Sequence, residues 1–134
     1  MLKLTRIVLA TVALSAAYAW AGEPRFEGAI FSNDRRGDTN METLPADSKK
    51  IYLTVHVEDI PNDAKLKATW FVEKAGAFNN ALIASSEVTM RPQMKTATYS
   101  LDKPSIGWPP GDYKVELAID GKVQSTVRFK VAKP

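Results

Sequence analysis

His56 is the only histidine in the chain, and cysteine is absent. A Ser-His-Asp hydrolase would need this histidine beside a serine nucleophile, but the sequence has no G-x-S-x-G elbow. A zinc site would depend almost wholly on carboxylates, which suit zinc poorly, and thiol chemistry is excluded. Because His56 alternates with apolar residues, we expect it on the solvent face of a strand. The sequence predicts no catalytic residue.

The segment "SNDRRGDTNMET" spaces oxygen ligands as calcium loops do, at Asp38, Asn40 and Glu42. Counted from Asp38, however, the glycine and the bidentate glutamate of an EF-hand fall on Thr43 and Lys49. Two adjacent arginines would also repel a cation. We expect no metal ion and no cofactor.

The same segment contains Arg36-Gly37-Asp38, the tripeptide that integrins read in adhesion proteins. Three-residue motifs arise often by chance, and this one has the charged surroundings of any solvated loop. We interpret it as loop sequence without a recognition role.

The first 21 residues have the three parts of a secretory signal peptide. Lys3 and Arg6 precede an uncharged run, and Ala19-Trp20-Ala21 fits the cleavage pattern. Cleavage after Ala19 also fits. The uncharged run is shorter than the roughly 20 residues that cross a bilayer. We therefore expect a signal peptide at 1–21, a single domain at 22–134, and a periplasmic or secreted protein.

Charge excludes several classes of partner. The leader holds two of the 18 basic residues and none of the 15 acidic ones, so the rest of the chain has 16 minus 15, or +1. A balanced surface lacks the basic cluster that nucleic acid or an anionic membrane requires. Without cysteine the chain also lacks the lipid-anchoring residue of bacterial lipoproteins. We expect no nucleic-acid binding and no membrane attachment after cleavage of the leader.

Apolar residues in the remaining chain repeat every second position. In "IYLTVHVEDI" and "KLKATWFVEK" one face of each segment is apolar, which predicts two half-buried strands, and we expect the two to form a hairpin. The segment "AGAFNNA" interrupts the pattern. Two weaker strands follow in "LIASSEVTM" and "KTATYSL", separated by a turn at Pro92.

The C-terminal segment "GDYKVELAIDGKVQSTVRFKV" predicts a second hairpin. Asp120-Gly121 separates two alternating runs and is a preferred pair for a two-residue type I′ turn. A first short strand runs through Phe26 and Phe31, whereas 33–50 has no period and is predicted to be a long loop. About seven short strands with no helical stripe predict an antiparallel β-sandwich.

The order of these elements resembles the immunoglobulin-like, or fibronectin-type-III-like, sandwich of small exported bacterial domains. The resemblance covers about residues 48–131 and includes "DSKKIYLTVHV", the inward Trp70 of "LKATWFVEK", and Gly111-Asp112-Tyr113 at the start of a late strand. It implies the fold and leaves the function open. The inter-sheet disulfide of antibody domains is absent, and Tyr113 matches the tyrosine-corner position only by its place at a strand start.

Aromatic and loop residues outside the alternating core are the candidate contact residues: Phe71, Phe78, Trp108, Pro110 and Asp112. Exposed apolar surface of this kind marks partner sites. Trp108 has a second interpretation, as a plug for the open end of a sandwich. We expect a non-enzymatic binding module of the bacterial envelope whose partner is another protein. The alternatives are a hydrolase inhibitor that presents the rigid loop 108–112, and an accessory subunit of an envelope assembly that docks by strand addition.

Overall fold

A computed structural model of the protein describes residues 22–36 and 39–134. These residues form eight strands and no helix, which confirms the predicted all-β class. The predicted leader, Gly37 and Asp38 lie outside the described residues. The strands are β1 (Arg25–Ser32), β2 (Thr43–Pro45), β3 (Lys50–Glu58), β4 (Lys65–Ala75), β5 (Phe78–Thr89), β6 (Thr96–Asp102), β7 (Gly111–Ile119) and β8 (Lys122–Ala132). None of the described segments is a helix long and apolar enough to cross a membrane.

The strands form two sheets that pack face to face. The smaller sheet has the order β1-β3-β6 and the larger the order β2-β8-β7-β4-β5, and all pairs are antiparallel except β2 with β8. Alternate residues of each strand point into the core between the sheets, where Leu53, Trp70 and Leu117 are almost completely buried. Full burial of a leucine side chain such as Leu53 or Leu117 contributes about 1.5–3 kcal/mol. The predicted sandwich is therefore confirmed.

The expected hairpin between the first two clear strands is wrong. β3 pairs with β1 and β6, whereas β4 pairs with β5 and β7, so the two strands lie in opposite sheets. The connection 59–64 crosses the edge of the sandwich, and two of its own side chains, Ile60 and Ala64, are buried. The alternation of apolar residues shows which face of a strand is buried. The pattern is identical for a strand that pairs with the next one and for a strand that packs against it from the opposite sheet.

The two hairpin turns of the larger sheet contain two residues each. Asp120 and Gly121 have φ of 48° and 87° between the paired Ile119 and Lys122, which confirms the predicted two-residue turn with positive φ at both positions. Between β4 and β5 only Gly76 and Ala77 form the turn, with φ of 58° at Gly76. The predicted interruption over 75–81 was too long, because β5 begins at Phe78.

The predicted loop 33–50 contains one short strand. β2 pairs in parallel with the end of β8, with Leu44 opposite Val131, and Leu44 is fully buried. Three residues with one inward side chain have no readable period, so only the contact with β8 defines this strand. This strand brings the number to eight, compared with the predicted seven or so.

Candidate binding face

The larger sheet turns one side away from the core, and we call this side the outer face. Since Leu66, Ala68, Trp70 and Val72 of β4 point inward, the residues between them point outward. The outer face is defined here by the outward residues Phe71, Glu73, Leu82, Lys114, Glu116 and Arg128.

An apolar pair lies on the two strands at the β5 end of this face. Phe71 of β4 is directly opposite Leu82 of β5, and Leu82 is 66% exposed. A β-bulge places Leu82 there: Trp70 pairs with Ala84 and Phe71 with Leu82, so Ile83 is an extra residue. Without the bulge, Leu82 and Ala84 would share one face of the sheet. With it, Ala84 lies opposite the inward Trp70 and Leu82 lies on the outer face.

Charged side chains of β4, β7 and β8 flank the apolar pair on one side. Lys114, opposite Phe71 on β7, places its Nζ 5.3 Å from the centre of the Phe71 ring and 3.9 Å from a Glu116 carboxylate oxygen. The Arg128 guanidinium donates to both carboxylate oxygens of Glu73 at 3.0 and 3.4 Å. The hydrogen bond to Glu73 raises the pKa of Arg128. Pairing orients these groups, although such exposed pairs contribute little to stability.

At the Glu73 end, the outer face continues into a shallow open depression. Its charged lining residues comprise three acids and three bases, namely Glu42, Glu73, Asp112, Lys74, Arg128 and Lys130. Asp112 and Lys130 approach each other at 3.9 Å. With the two signs balanced, the depression has no general preference for an anion or a cation.

The chain matches no known protein family and no curated protein at a significant level. Among solved structures, an immunoglobulin-like protein from Pseudomonas aeruginosa superposes with a TM-score of 0.56 at 13% identity, covering 84% of this chain and 98% of that one. The fold is immunoglobulin-like. The expected fold-level resemblance is thereby confirmed.

Two larger enzymes contain a similar domain. A β-glucosidase from Kluyveromyces marxianus matches with a TM-score of 0.51 at 17% identity, and a Pseudomonas fluorescens alkylpurine DNA glycosylase with 0.50 at 9%. The match covers 83% and 82% of this chain but only 14% and 30% of those chains. At these identities the likeness concerns the fold alone.

Tyr113 occupies the tyrosine corner of this immunoglobulin-like domain by contact as well as by position. Its hydroxyl donates a 2.6 Å hydrogen bond to the carbonyl oxygen of Pro109, four residues upstream. The ring stacks on Phe129 at 5.1 Å between centroids and meets Trp108 edge-on at 5.8 Å. Burial raises the pKa of Tyr113 to about 12.

Trp108 is a packing residue in this structure, so its assignment as a contact residue is corrected. It is 2% exposed, and its indole Nε1 donates a 2.8 Å hydrogen bond to the carbonyl oxygen of Ser48. A side chain held inside in this way is unavailable to a partner. The structure places Trp108 at the end of the core, as its second interpretation proposed.

The other candidate contact residues are accessible to different degrees. Phe71 is half-buried on the outer face, and the exposed Asp112 lies at its edge. Phe78, 38% exposed, begins β5, and Pro110 is exposed just before β7. The structure thus brings Phe71 and Asp112 to one face and leaves Phe78 and Pro110 at the end of the sheet.

Sequence reasoning missed three exposed apolar residues, Leu82 at 66%, Ile106 at 55% and Val123 at 52%. Leu82 was assigned to a weak strand, and its outward direction depends on a bulge that alternation does not reveal. Ile106 lies among prolines and glycine that identify a loop without telling which side chain is outermost.

The residues first considered for catalysis and metal binding lie apart from the outer face. His56 is exposed on the smaller sheet between Glu27 of β1 and Thr96 of β6, as predicted. Asn40 accepts a hydrogen bond from the Phe31 amide at 2.9 Å, so its oxygen has a structural role. Residues 22–36 and 39–134 contain no group of three acidic or histidine side chains suited to hold a metal ion. Part of the Arg36-Gly37-Asp38 motif lies outside the described residues.

Proposed function

We propose that this protein is a non-enzymatic module that binds another protein through the outer face. The observation that carries the proposal is the pair formed by Phe71 and the 66% exposed Leu82, which is flanked by charged side chains of β4, β7 and β8. Protein interfaces have this composition, with an apolar centre and a polar rim. The immunoglobulin-like fold supports a binding role in general terms.

Charge supports a protein as the partner. The charged side chains beside the apolar pair are two acids and two bases, Glu73 with Arg128 and Lys114 with Glu116, whereas nucleic acid requires a concentrated basic surface. The secretory form of residues 1–21 supports a location in the periplasm or outside the cell. An accessory subunit of an envelope assembly would instead dock by strand addition at a sheet edge.

The test is capture of a partner from the envelope fraction and culture medium of the host. Leu82→Asp adds charge and removes the apolar contact at an exposed site, where substitutions usually change stability by less than about 0.5 kcal/mol. We expect capture to fall at least about tenfold, as for loss of a central contact. Ile106→Asp is the matched control, because Ile106 is similarly exposed and lies outside the outer face.

Undiminished capture by Leu82→Asp would contradict the proposal, as would an equal loss in both variants. A wild-type protein that captures nothing above background would also contradict it.

A second candidate function, inhibition of a secreted hydrolase, rests on Ile106. The segment 103–110 presents this 55% exposed side chain on a fixed base. The amide of Gly107 donates to the carbonyl of Pro104 at 2.8 Å, and the buried Trp108 is anchored to Ser48. A loop held in one conformation loses little entropy on binding. The loop expected from the sequence was 108–112; because its Trp108 is buried, this candidate rests on Ile106 in the preceding segment instead.

The same two variants test this candidate. If the protein inhibits a hydrolase through this loop, Ile106→Asp abolishes inhibition in an enzyme assay and Leu82→Asp retains it. Inhibition that survives Ile106→Asp, or none against a panel of secreted proteases and glycosidases, removes the candidate.

A further inference from the structure

β5 is the terminal strand of the larger sheet, and among the described residues it pairs only with β4. Its other edge therefore presents backbone N–H and C=O groups without strand partners. The strand has 12 residues, and Glu87 is its only charged residue. It contains no lysine, arginine or proline, which are the residues that natural proteins place on exposed edges.

The other edges of the two sheets are guarded. β2 covers the end of β8, and the rest of β8 carries Lys122 and Arg128. β1 has a bulge after Glu27 and an Arg25 side chain that pairs with Glu27 and Asp59. β6 has only seven residues, and Lys103 and Pro104 follow it. β5 is thus the least protected edge.

The regular part of β5 is its second half. Ile83 is the bulged residue and Asn80 has a positive φ of 50°, so the first half is irregular. From Ala84 to Thr89 every residue is opposite a residue of β4, and Ser85, Ser86 and Glu87 are exposed. This segment is long enough to accept one further strand.

The segment is complementary to a second copy of itself. In an antiparallel pair, residues that lie opposite each other point to the same face of the sheet. A two-fold axis that relates the two strands therefore passes between the two copies of one residue, and we name the axis by that residue. An axis at Glu87 would set two carboxylates opposite each other, which is destabilising. An axis at Ser86 sets Glu87 opposite Ser85 and Val88 opposite Ala84, a polar pair and an apolar pair.

We propose that two copies of this chain associate by antiparallel β5–β5 pairing around a two-fold axis at Ser86. The two larger sheets then form one sheet of five plus five, or ten, strands, with the two outer faces side by side. Because the two-fold pairing uses β5 of both copies and β5 is the least protected edge among the described strands, the association closes as a dimer and does not extend into a fibre. This inference goes beyond the proposed function: the dimer uses the free backbone edge of β5, whereas partner binding uses outward side chains, one of which, Leu82, also belongs to β5.

Disulfide trapping tests the pairing, because the chain has no cysteine of its own. Ser86→Cys places one thiol on the axis, where opposite Cβ atoms lie about 4.5–5.5 Å apart, close to the distance that a disulfide bridges. Mild oxidation of dilute protein is expected to give a covalent dimer on a non-reducing gel. Gln124→Cys, at an exposed position of β8, is the matched control and is expected to remain mostly monomeric.

Sedimentation of the cysteine-free protein provides the second measurement. At high concentration we expect the wild-type protein to sediment with twice the mass of one chain. The Ser86→Lys variant is expected to sediment with the mass of one chain, because it sets two like charges opposite each other at the axis. Gln124→Lys is expected to keep the dimer.

A wild-type protein that stays monomeric from about 1 µM to about 1 mM, the range over which weak dimers form, would overturn the inference. So would a dimer that Ser86→Lys leaves intact, or cross-linking of both cysteine variants at equal rates. These results do not depend on capture of another protein by the outer face, so the two proposals fail separately.

Discussion

Tyr113 links the start of β7 to the loop before it by one partly buried hydrogen bond. The hydroxyl donates to Pro109, and the ring lies between Phe129 and Trp108. These contacts close the end of the core where the loop 103–110 returns to the larger sheet. A change in this one side chain therefore affects both the core and the loop.

Removal of this hydroxyl is expected to destabilise the protein. Tyr113→Phe keeps the ring and leaves the Pro109 carbonyl without its donor, so we expect a loss of about 1–2 kcal/mol. Urea unfolding followed by tryptophan fluorescence measures the change. Tyr52→Phe is the control: Tyr52 lies half-buried on the smaller sheet, and its substitution is expected to change stability by less than about 0.5 kcal/mol. Equal effects would contradict the tyrosine-corner role.

Two buried tyrosines make stability sensitive to alkaline pH. Burial raises the pKa of Tyr113 to about 12, and burial together with the charge of Glu87 raises that of Tyr99 to about 12. An unfolded tyrosine has a pKa of about 10. The protonated hydroxyls therefore stabilise the fold fully below about pH 10, and this contribution is lost as the pH rises towards about 12.

Thermal unfolding between about pH 8 and pH 12 measures this loss. The wild-type melting temperature is expected to fall steeply above about pH 10. Since lysines titrate in the same range, the comparison is with the double variant Tyr99→Phe and Tyr113→Phe, which should show a shallower fall. Identical slopes would refute the assignment.

At the scale of single residues, sequence predicted burial better than exposure. The inward Trp70 and the outward His56 follow from alternation, and both are confirmed. Trp108 lies outside any alternating run, so only the structure shows it bonded to Ser48 across 60 positions of the chain. The exposure of Leu82 depends on the bulge at Ile83, which two neighbouring strands define together.

At the scale of elements, local turn chemistry was predictable and strand partners were not. Asp120-Gly121 specifies its own turn because both residues must adopt positive φ, and the β7–β8 pairing follows from it. The separation of β3 and β4 depends on the buried connection through Ile60 and Ala64. The strand β2 depends on the tail of β8. Such contacts join distant parts of the chain, so a local pattern does not reveal them.

Two glycines of β7 and its turn are expected to differ in their tolerance of a side chain. A Cβ at Gly111 would overlap the Lys74 carbonyl oxygen and Ala75, where β7 approaches the end of β4. Gly121 has φ of 87° with open space around it. We expect Gly111→Ala to cost about 2–3 kcal/mol, from overlap and strain together. Gly121→Ala should cost about 1 kcal/mol, from strain alone.

Chemical denaturation of both variants measures this difference. A similar loss in the two would show that the close approach between Gly111 and Lys74 does not constrain the fold.

At the scale of the whole molecule, the two sheets present different outer sides. The outer side of the smaller sheet carries hydroxyl groups, and those of Thr54 and Thr98 are 3.4 Å apart. The outer side of the larger sheet carries Phe71 and Leu82 next to paired charged side chains. Dimerisation through β5 would place two such outer faces in one continuous sheet. We therefore propose the larger sheet as the recognition surface, with the loop at Ile106 as the alternative.

The most direct measurement of the central claim is site-specific photo-cross-linking in the host. A photoreactive residue is introduced in place of Leu82 on the outer face, and in place of Gln124 on β8 as the control. The account predicts a discrete adduct from position 82, heavier than one chain and different in mass from two, and none from position 124. Absence of any adduct at position 82 apart from the dimer, or the same adduct from both positions, would contradict the claim that this face binds a partner protein.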